Sequence, residues 1–122
     1  MSKVVLTVDD SASVRQLIRM TLTGAGYQVV EAGDGREGLS KAQATPADAV
    51  ITDINMPNMN GIELVTALRG LPTYNGVPIV CLTTESDDGV KQAARAAGAS
   101  GWITKPFRPE QLLAVVKKVL GA

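Results

Sequence analysis

The sequence predicts one α/β domain in which an open parallel sheet is covered by helices on both faces. Short apolar runs alternate five times with segments of helical periodicity, and the links between them are short. Short connections and right-handed crossovers leave a doubly wound sheet as the architecture that buries every run. Of the 122 residues 45% are hydrophobic but only 3% aromatic, so the core must come from Val, Leu, Ile and Ala. A chain of this length buries roughly two-thirds of its extended surface on folding, and residues 1–122 are expected to form a single domain.

Val4–Val8 is a mostly apolar run, read as a strand buried on both faces, and it stops at Asp9-Asp10. Ser11 can cap the next helix, where Val14, Leu17, Ile18, Thr21 and Leu22 recur at helical spacing until Gly24-Ala25-Gly26. A second strand is expected at residues 28–31. Asp34-Gly35-Arg36-Glu37 carries a capping-box signature for a helix to about Ala44. Residues 49–52 form the third strand, again ending on a carboxylate, Asp53. The Pro-, Asn- and Gly-marked loop at residues 55–61 leads into a helix over residues 62–69. Residues 77–82 and 101–104 give the last two strands, with a helix over residues 87–97 between them. The final helix starts at Pro109, suited to the first helical position, and places Leu112, Leu113, Val116 and Leu120 on one face. Lys117 and Lys118 suit its carbonyl end. No internal repeat, linker or low-complexity tract interrupts this order.

Twelve basic residues balance twelve acidic ones, which gives no support for a nucleic-acid-binding surface. The one cysteine, Cys81, lies in an apolar run and reads as a buried, inert thiol; a disulfide framework is excluded. No stretch approaches the length of a membrane span and no signal-peptide pattern opens the chain, so a cytoplasmic protein is expected.

The polar exceptions share one location. Asp9 and Asp10 follow strand one, Asp53 ends strand three, Thr83 follows strand four and Lys105 follows strand five. In open α/β sheets the carboxyl ends of the strands border the ligand crevice, so these groups can meet. Any one such Asp is ordinarily a turn or cap residue; five polar groups together are not. Three converging carboxylates repel one another, and one lysine does not balance them. Oxygen ligands without His point to Mg²⁺, with Mn²⁺ as a substitute. Asp53 could then attack a phosphoryl group, with Lys105 and Thr83 receiving charge on the transferred oxygens. No Gly-rich nucleotide cradle accompanies the site, so the phosphoryl group is expected to arrive on another protein or a small donor.

At these residues the chain resembles the receiver domain of two-component response regulators. Val8-Asp9-Asp10, Asp53 followed by Met56-Pro57 and Gly61, Leu82-Thr83, Ala97-Gly98-Ala99 and Lys105-Pro106-Phe107 carry the likeness over nearly the whole chain. The resemblance implies a flavodoxin-like sheet ordered 2-1-3-4-5 and a phosphoryl group taken from phosphohistidine on a sensor histidine kinase. It implies Asp53 as the acceptor and Asp10, Asp53 and the Asn55 carbonyl as Mg²⁺ ligands, with Asp9 assisting through water. Thr83 and Lys105 are the implied phosphate contacts, and Trp102 stands at the position of the aromatic switch.

The likeness is greatest to the CheY-like, stand-alone chemotaxis members, which implies no output domain and no catalysis beyond its own phosphoryl transfer and dephosphorylation. Asn55 and Glu85 stand where such members admit water for quick loss of phosphate. The implied output face is the fourth helix, fifth strand and fifth helix, with Lys91, Arg95, Trp102, Gln111, Val115 and Lys118 as candidate contacts. Implied partners are a chemotaxis-type kinase, a flagellar motor switch protein or other signalling target, and a phosphatase, with the protein itself a monomer. Asn60 replaces a common Asp, Thr84 a small residue, and Asp87-Asp88 fills a region often basic in motor-binding members. Alternatives are a relay passing phosphate to a phosphotransfer protein and a receiver cut from a longer regulator. Asp-nucleophile phosphatases of other α/β folds generally carry a second Asp two residues on, where this chain has Asn55.

Overall fold

A computed structural model of the protein describes residues 2–84 and 88–121. Five strands, β1 (Val4–Val8), β2 (Gln28–Ala32), β3 (Ala49–Asp53), β4 (Ile79–Thr83) and β5 (Gly101–Thr104), alternate with α1 (Ala12–Gly24), α2 (Gly35–Ala44), α3 (Gly61–Arg69), α4 (Asp88–Ala97) and α5 (Pro109–Leu120). All strand pairs are parallel and the sheet order is β2-β1-β3-β4-β5. The flavodoxin-like order implied by the resemblance is therefore the observed one.

Alternation along the central strands divides the core into two halves. Leu6, Val8, Val50, Ile79 and Cys81 face Ala42, Leu64, Val65, Leu68 and Ala94 on α2, α3 and α4. Val5, Ile51, Val80 and Leu82 face Ile18, Leu22, Leu112 and Val116 on α1 and α5. Each fully buried aliphatic side chain contributes roughly 1.5–3 kcal/mol relative to exposure, so the central strands, buried on both faces, anchor the domain. β1 runs outward to β2 while β3 lies on its other side, so the strand order reverses between β1 and β3. That reversal opens the crevice at the carboxyl edge of the sheet.

Several boundaries differ from expectation for identifiable reasons. β4 begins at Ile79, not 77, because a 3-10 turn, Pro72–Tyr74, that periodicity does not reveal is closed by Asn75 N–H on the Pro72 carbonyl at 3.2 Å, and Val77 N–H is then held by the Tyr74 carbonyl at 3.2 Å. Tyr74 is fully buried; its hydroxyl donates to the Ala42 carbonyl at 2.7 Å and accepts from Ala47 N–H at 3.1 Å. β4 also runs on to include Thr83. Ser11 and Asp34 cap α1 and α2 as expected, but Glu37 reaches Gly33 N–H, not the cap residue itself. The reciprocal capping box lies instead on α3. There Asn60 Oδ1 accepts from Glu63 N–H at 2.8 Å, and Glu63 Oε1 accepts from Asn60 N–H at 3.0 Å. Asn60, which replaces an Asp, thus starts the helix as well as turning the loop. The expected start of α4 at Asp87 lies outside the described residues.

Among the described glycines, Gly61 makes the tightest approach. A Cβ there would lie 2.2 Å from the Asp53 carbonyl oxygen and 2.8 Å from Ile54 Cα, both rigid backbone. Gly24, on α1, has nothing within 4 Å of that position. We expect Gly61→Ala to destabilise the fold by about 2 kcal/mol or more through overpacking, and Gly24→Ala to leave it unchanged or raise it by up to ~1 kcal/mol. Urea unfolding of both variants checks this; equal midpoints would contradict it.

Candidate functional site

Asp9 leaves β1 into the crevice with its carboxylate fully buried. Its N–H donates to the Ala32 carbonyl at 3.1 Å, and Oδ1 accepts from Ser11 N–H at 2.9 Å, which ties the carboxylate to the start of α1. Asp53 ends the central strand β3 and is 7% exposed. Lys105, just past β5, is anchored by its N–H to the Thr83 carbonyl at 2.7 Å. From there its ammonium reaches both acids: 2.9 Å to Asp9 Oδ2 and 3.4 Å to Asp53 Oδ2. Asp10 is exposed on the rim, and one carboxylate oxygen from each of Asp9, Asp10 and Asp53 lies within 4.8 Å of the others. Thr83 is buried at the end of β4, in register with Thr104. The crossovers thus bring together the residues that the strand ends singled out.

The electrostatics follow from burial. Desolvation, reinforced by the charge of Asp9, raises the Asp53 pKa above the ordinary carboxylate value, against the pull of Lys105. Burial alone depresses the Lys105 pKa, but its hydrogen bond to Asp9 and the charges of Asp9 and Asp53 leave it above the ordinary lysine value. Lys105 is therefore cationic at neutral pH. One cation serves three carboxylates, and Asp10 has no salt bridge among the described residues. The net deficit and the all-oxygen donor set fit a hard divalent cation of the Mg²⁺ type. Cys81, on the same strand as Thr83, is pushed up to about 11 by burial and then by Asp53, so it is an inert thiol as expected.

The loop after Asp53 is braced from outside. Asn58 takes a left-handed backbone (φ 68°) that Asn tolerates, and its amide donates to Asp34 Oδ2 at 2.9 Å. Gly35 lies against Met59, where a Cβ would come within 2.3 Å of the carbonyl oxygen. This bracing carries Asn55, exposed two residues beyond Asp53. Glu85 lies outside the described residues, as does Asp87. Thr84 is exposed beside Lys105, where it lines an apolar groove with Val14, Leu17, Pro106 and Phe107.

The expected output face is less open than a list of exposed positions implies. Trp102 is half-buried against the α3–α4 side of the core, beneath Lys91 Nζ at 5.5 Å and Arg95 Cζ at 5.1 Å from the ring centroid. Lys91 is half-buried as well. Val115 packs on the opposite side of the sheet, against the α1–α5 half, while Arg95, Gln111 and Lys118 are exposed. One residue escaped the sequence reading: Arg15 of α1, whose guanidinium donates to the Asp9 carbonyl. No motif announces a contact between a helix side chain and a main-chain oxygen six residues earlier.

The fold and this pocket define a response regulator receiver domain: the model of that family matches residues 5–117, and the chain belongs to it. Within the family it closely resembles CheY chemotaxis regulators. It is 41% identical over 118 residues to chemotaxis protein CheY1 of Helicobacter pylori, covering 95% of each chain. The structure of Vibrio cholerae chemotaxis protein CheY4 superposes with a TM-score of 0.94 at 49% identity, over 98% of this chain and 99% of that one. A response regulator protein from Burkholderia multivorans gives a TM-score of 0.82 at 48% identity, over 98% and 95%. Among the described residues no helix is long and apolar enough to cross a membrane.

The raised Asp53 pKa has a consequence for stability. An acid that holds its proton more tightly in the folded state makes stability fall as pH rises from the ordinary carboxylate pKa through the raised one. Above that interval the penalty is constant. In metal-free buffer at pH 7, Asp53→Asn should melt above wild type. The gap should narrow as pH drops below the usual carboxylate range. Thermal melts across pH check this, and a variant less stable than wild type at pH 7 contradicts it.

Proposed function

We propose that this protein is a CheY-like phosphorylation switch in which Asp53 is the phosphoryl acceptor. The observation that carries the reading is the shared ion pair: Lys105 holds Asp9 and Asp53 side by side at the sheet edge, 2.9 and 3.4 Å away, with exposed Asp10 beside them. An Asp53 oxygen attacks phosphorus on a kinase phosphohistidine; the P–N bond breaks, and the imidazole leaves with the electron pair and takes up a proton. The product is an aspartyl phosphate. Lys105 neutralises one of the new phosphoryl oxygens and the Thr83 hydroxyl donates to another. Asp9, Asp10, Asp53 and the Asn55 carbonyl would hold Mg²⁺, with Mn²⁺ as a substitute. When bound, that ion offsets the negative charge of the entering phosphoryl group.

Asn55 and Glu85 set the lifetime by admitting water, which attacks phosphorus; the P–O bond to Asp53 breaks, inorganic phosphate leaves, and Asp53 returns as carboxylate. Trp102, between the core and the cations of α4, is the group that repacks when Thr83 engages phosphate. A chemotaxis-type sensor kinase supplies the phosphoryl group upstream; a flagellar motor switch protein or other signalling target reads the change downstream, meeting Lys91, Arg95, Trp102, Gln111, Val115 and Lys118, and a phosphatase resets it. The 41–49% identity to CheY1 and CheY4 supports the chemotactic assignment over a relay or a part of a longer regulator. A monomeric, cytoplasmic, single-domain protein is the form this reading requires.

Incubation with Mg²⁺ and a small acyl-phosphate donor should add one phosphoryl group to the wild type by intact mass and none to Asp53→Asn; a wild type that never gains mass contradicts the proposal. Replacing Asn55 with Lys should slow loss of the phosphoryl group about tenfold or more, since a blocked general-base or water path costs on that order. An unchanged decay rate contradicts the assigned role of Asn55.

A further inference from the structure

Behind the acidic pocket lies a charged cluster that phosphoryl transfer does not use. Arg15, in the first turn of α1, places Nε 3.5 Å from Glu31 Oε1 on β2, and its Nη1 donates to the Asp9 carbonyl. Arg19 grips the other Glu31 oxygen at 2.6 Å, and Lys41 donates to the Glu31 carbonyl. Arg15 and Glu31 are partly buried, with side chains 23% and 26% exposed. Together with Gly33, Glu37 and Lys41 they line a polar cleft of about 310 Å³.

Every polar atom of Asp9 is thereby engaged. Its N–H goes to Ala32, its carboxylate to Ser11 N–H and Lys105, and its carbonyl to Arg15. That carbonyl belongs to the peptide unit joining Asp9 to Asp10. Because a peptide unit is planar, fixing its oxygen fixes the direction in which Asp10 leaves the strand. Asp10 itself is exposed and has no salt bridge among the described residues, so the main chain behind it is what limits its wandering.

We propose that Arg15 is a positioning residue for the cation site: held by Glu31, it clamps the Asp9–Asp10 peptide and presets the Asp10 carboxylate. This rests on the reading that Asp9, Asp10 and Asp53 hold Mg²⁺. Charge alone argues the opposite way, since a guanidinium near a cation repels it and its removal should tighten binding. The sign of the effect therefore separates positioning from simple electrostatics. Lysine is not an equivalent clamp, because one ammonium on a flexible stem cannot reproduce the fork that reaches Glu31 and the carbonyl together.

The test is calorimetric titration of MgCl₂ into wild type, Arg15→Met and Arg15→Lys, with melting curves in EDTA to set a temperature at which each is folded. Outer-shell partners of metal ligands typically govern affinity by 10–100-fold. Arg15→Met should raise the Mg²⁺ Kd about tenfold, and Arg15→Lys, which keeps the charge, severalfold. Wild-type or tighter affinity in either variant overturns the inference, and Arg15→Lys decides it if the Met variant does not fold. A wild type that binds no Mg²⁺ overturns the metal reading itself, an outcome distinct from variants that bind as well as wild type.

Discussion

One ammonium group holds the functional end of this molecule together. Lys105 Nζ stands between two buried carboxylates, and without it Asp9 and Asp53 would face each other as like charges in a poorly solvated crevice. At an effective dielectric near 20, unit charges 4 Å apart interact by about 4 kcal/mol. Such a repulsion is large beside the ~5–15 kcal/mol that stabilises a whole domain. Yet the single cation leaves the cluster short of positive charge, and burial still raises the Asp53 pKa. The pocket is stable enough to exist and under-compensated enough to favour a hard divalent cation.

The rest of the fold serves that arrangement. Two half-cores of aliphatic side chains clamp β1, β3 and β4 from both faces, so the strand ends cannot drift apart. Gly61 lets the loop after Asp53 fold back onto the strand's own carbonyl. The Asn58–Asp34 hydrogen bond then braces that loop against α2. Lys105 lies just past the edge strand β5, pinned through its N–H to the Thr83 carbonyl, so Lys105 and Thr83 are built as one main-chain unit. Trp102 lies on the same four-residue strand, which gives a short physical path from the pocket to the face bearing Lys91 and Arg95.

Much of this was legible in the sequence because local signals and global fold agree. β1, β5 and α5 fall at the residues that apolar runs, Gly101 and Pro109 indicate. The strand-end carboxylates betrayed the pocket because Asp and Lys interrupt otherwise apolar runs at equivalent topological positions. What stayed hidden depends on contacts remote in sequence. The 3-10 turn at Pro72–Tyr74 is stabilised by a tyrosine hydroxyl that reaches residues about thirty positions earlier. The α3 capping box is a local signal, but Asn60 was read only as a turn residue. Trp102 and Val115 look like neighbours on a strand and helix, yet they pack on opposite sides of the sheet. Arg15 carries no signal in the sequence because its partner is a main-chain oxygen, which no residue type encodes.

The proposed role of Asp53 as phosphoryl acceptor, in place of its acidic neighbours, can be read chemically. Borohydride reduces an aspartyl phosphate to homoserine, so treatment of the phosphorylated protein followed by peptide sequencing reads the site directly. Homoserine is expected at position 53, dependent on Mg²⁺ during loading and absent without donor. Homoserine at position 9 or 10, with Asp53 unmodified, would contradict it.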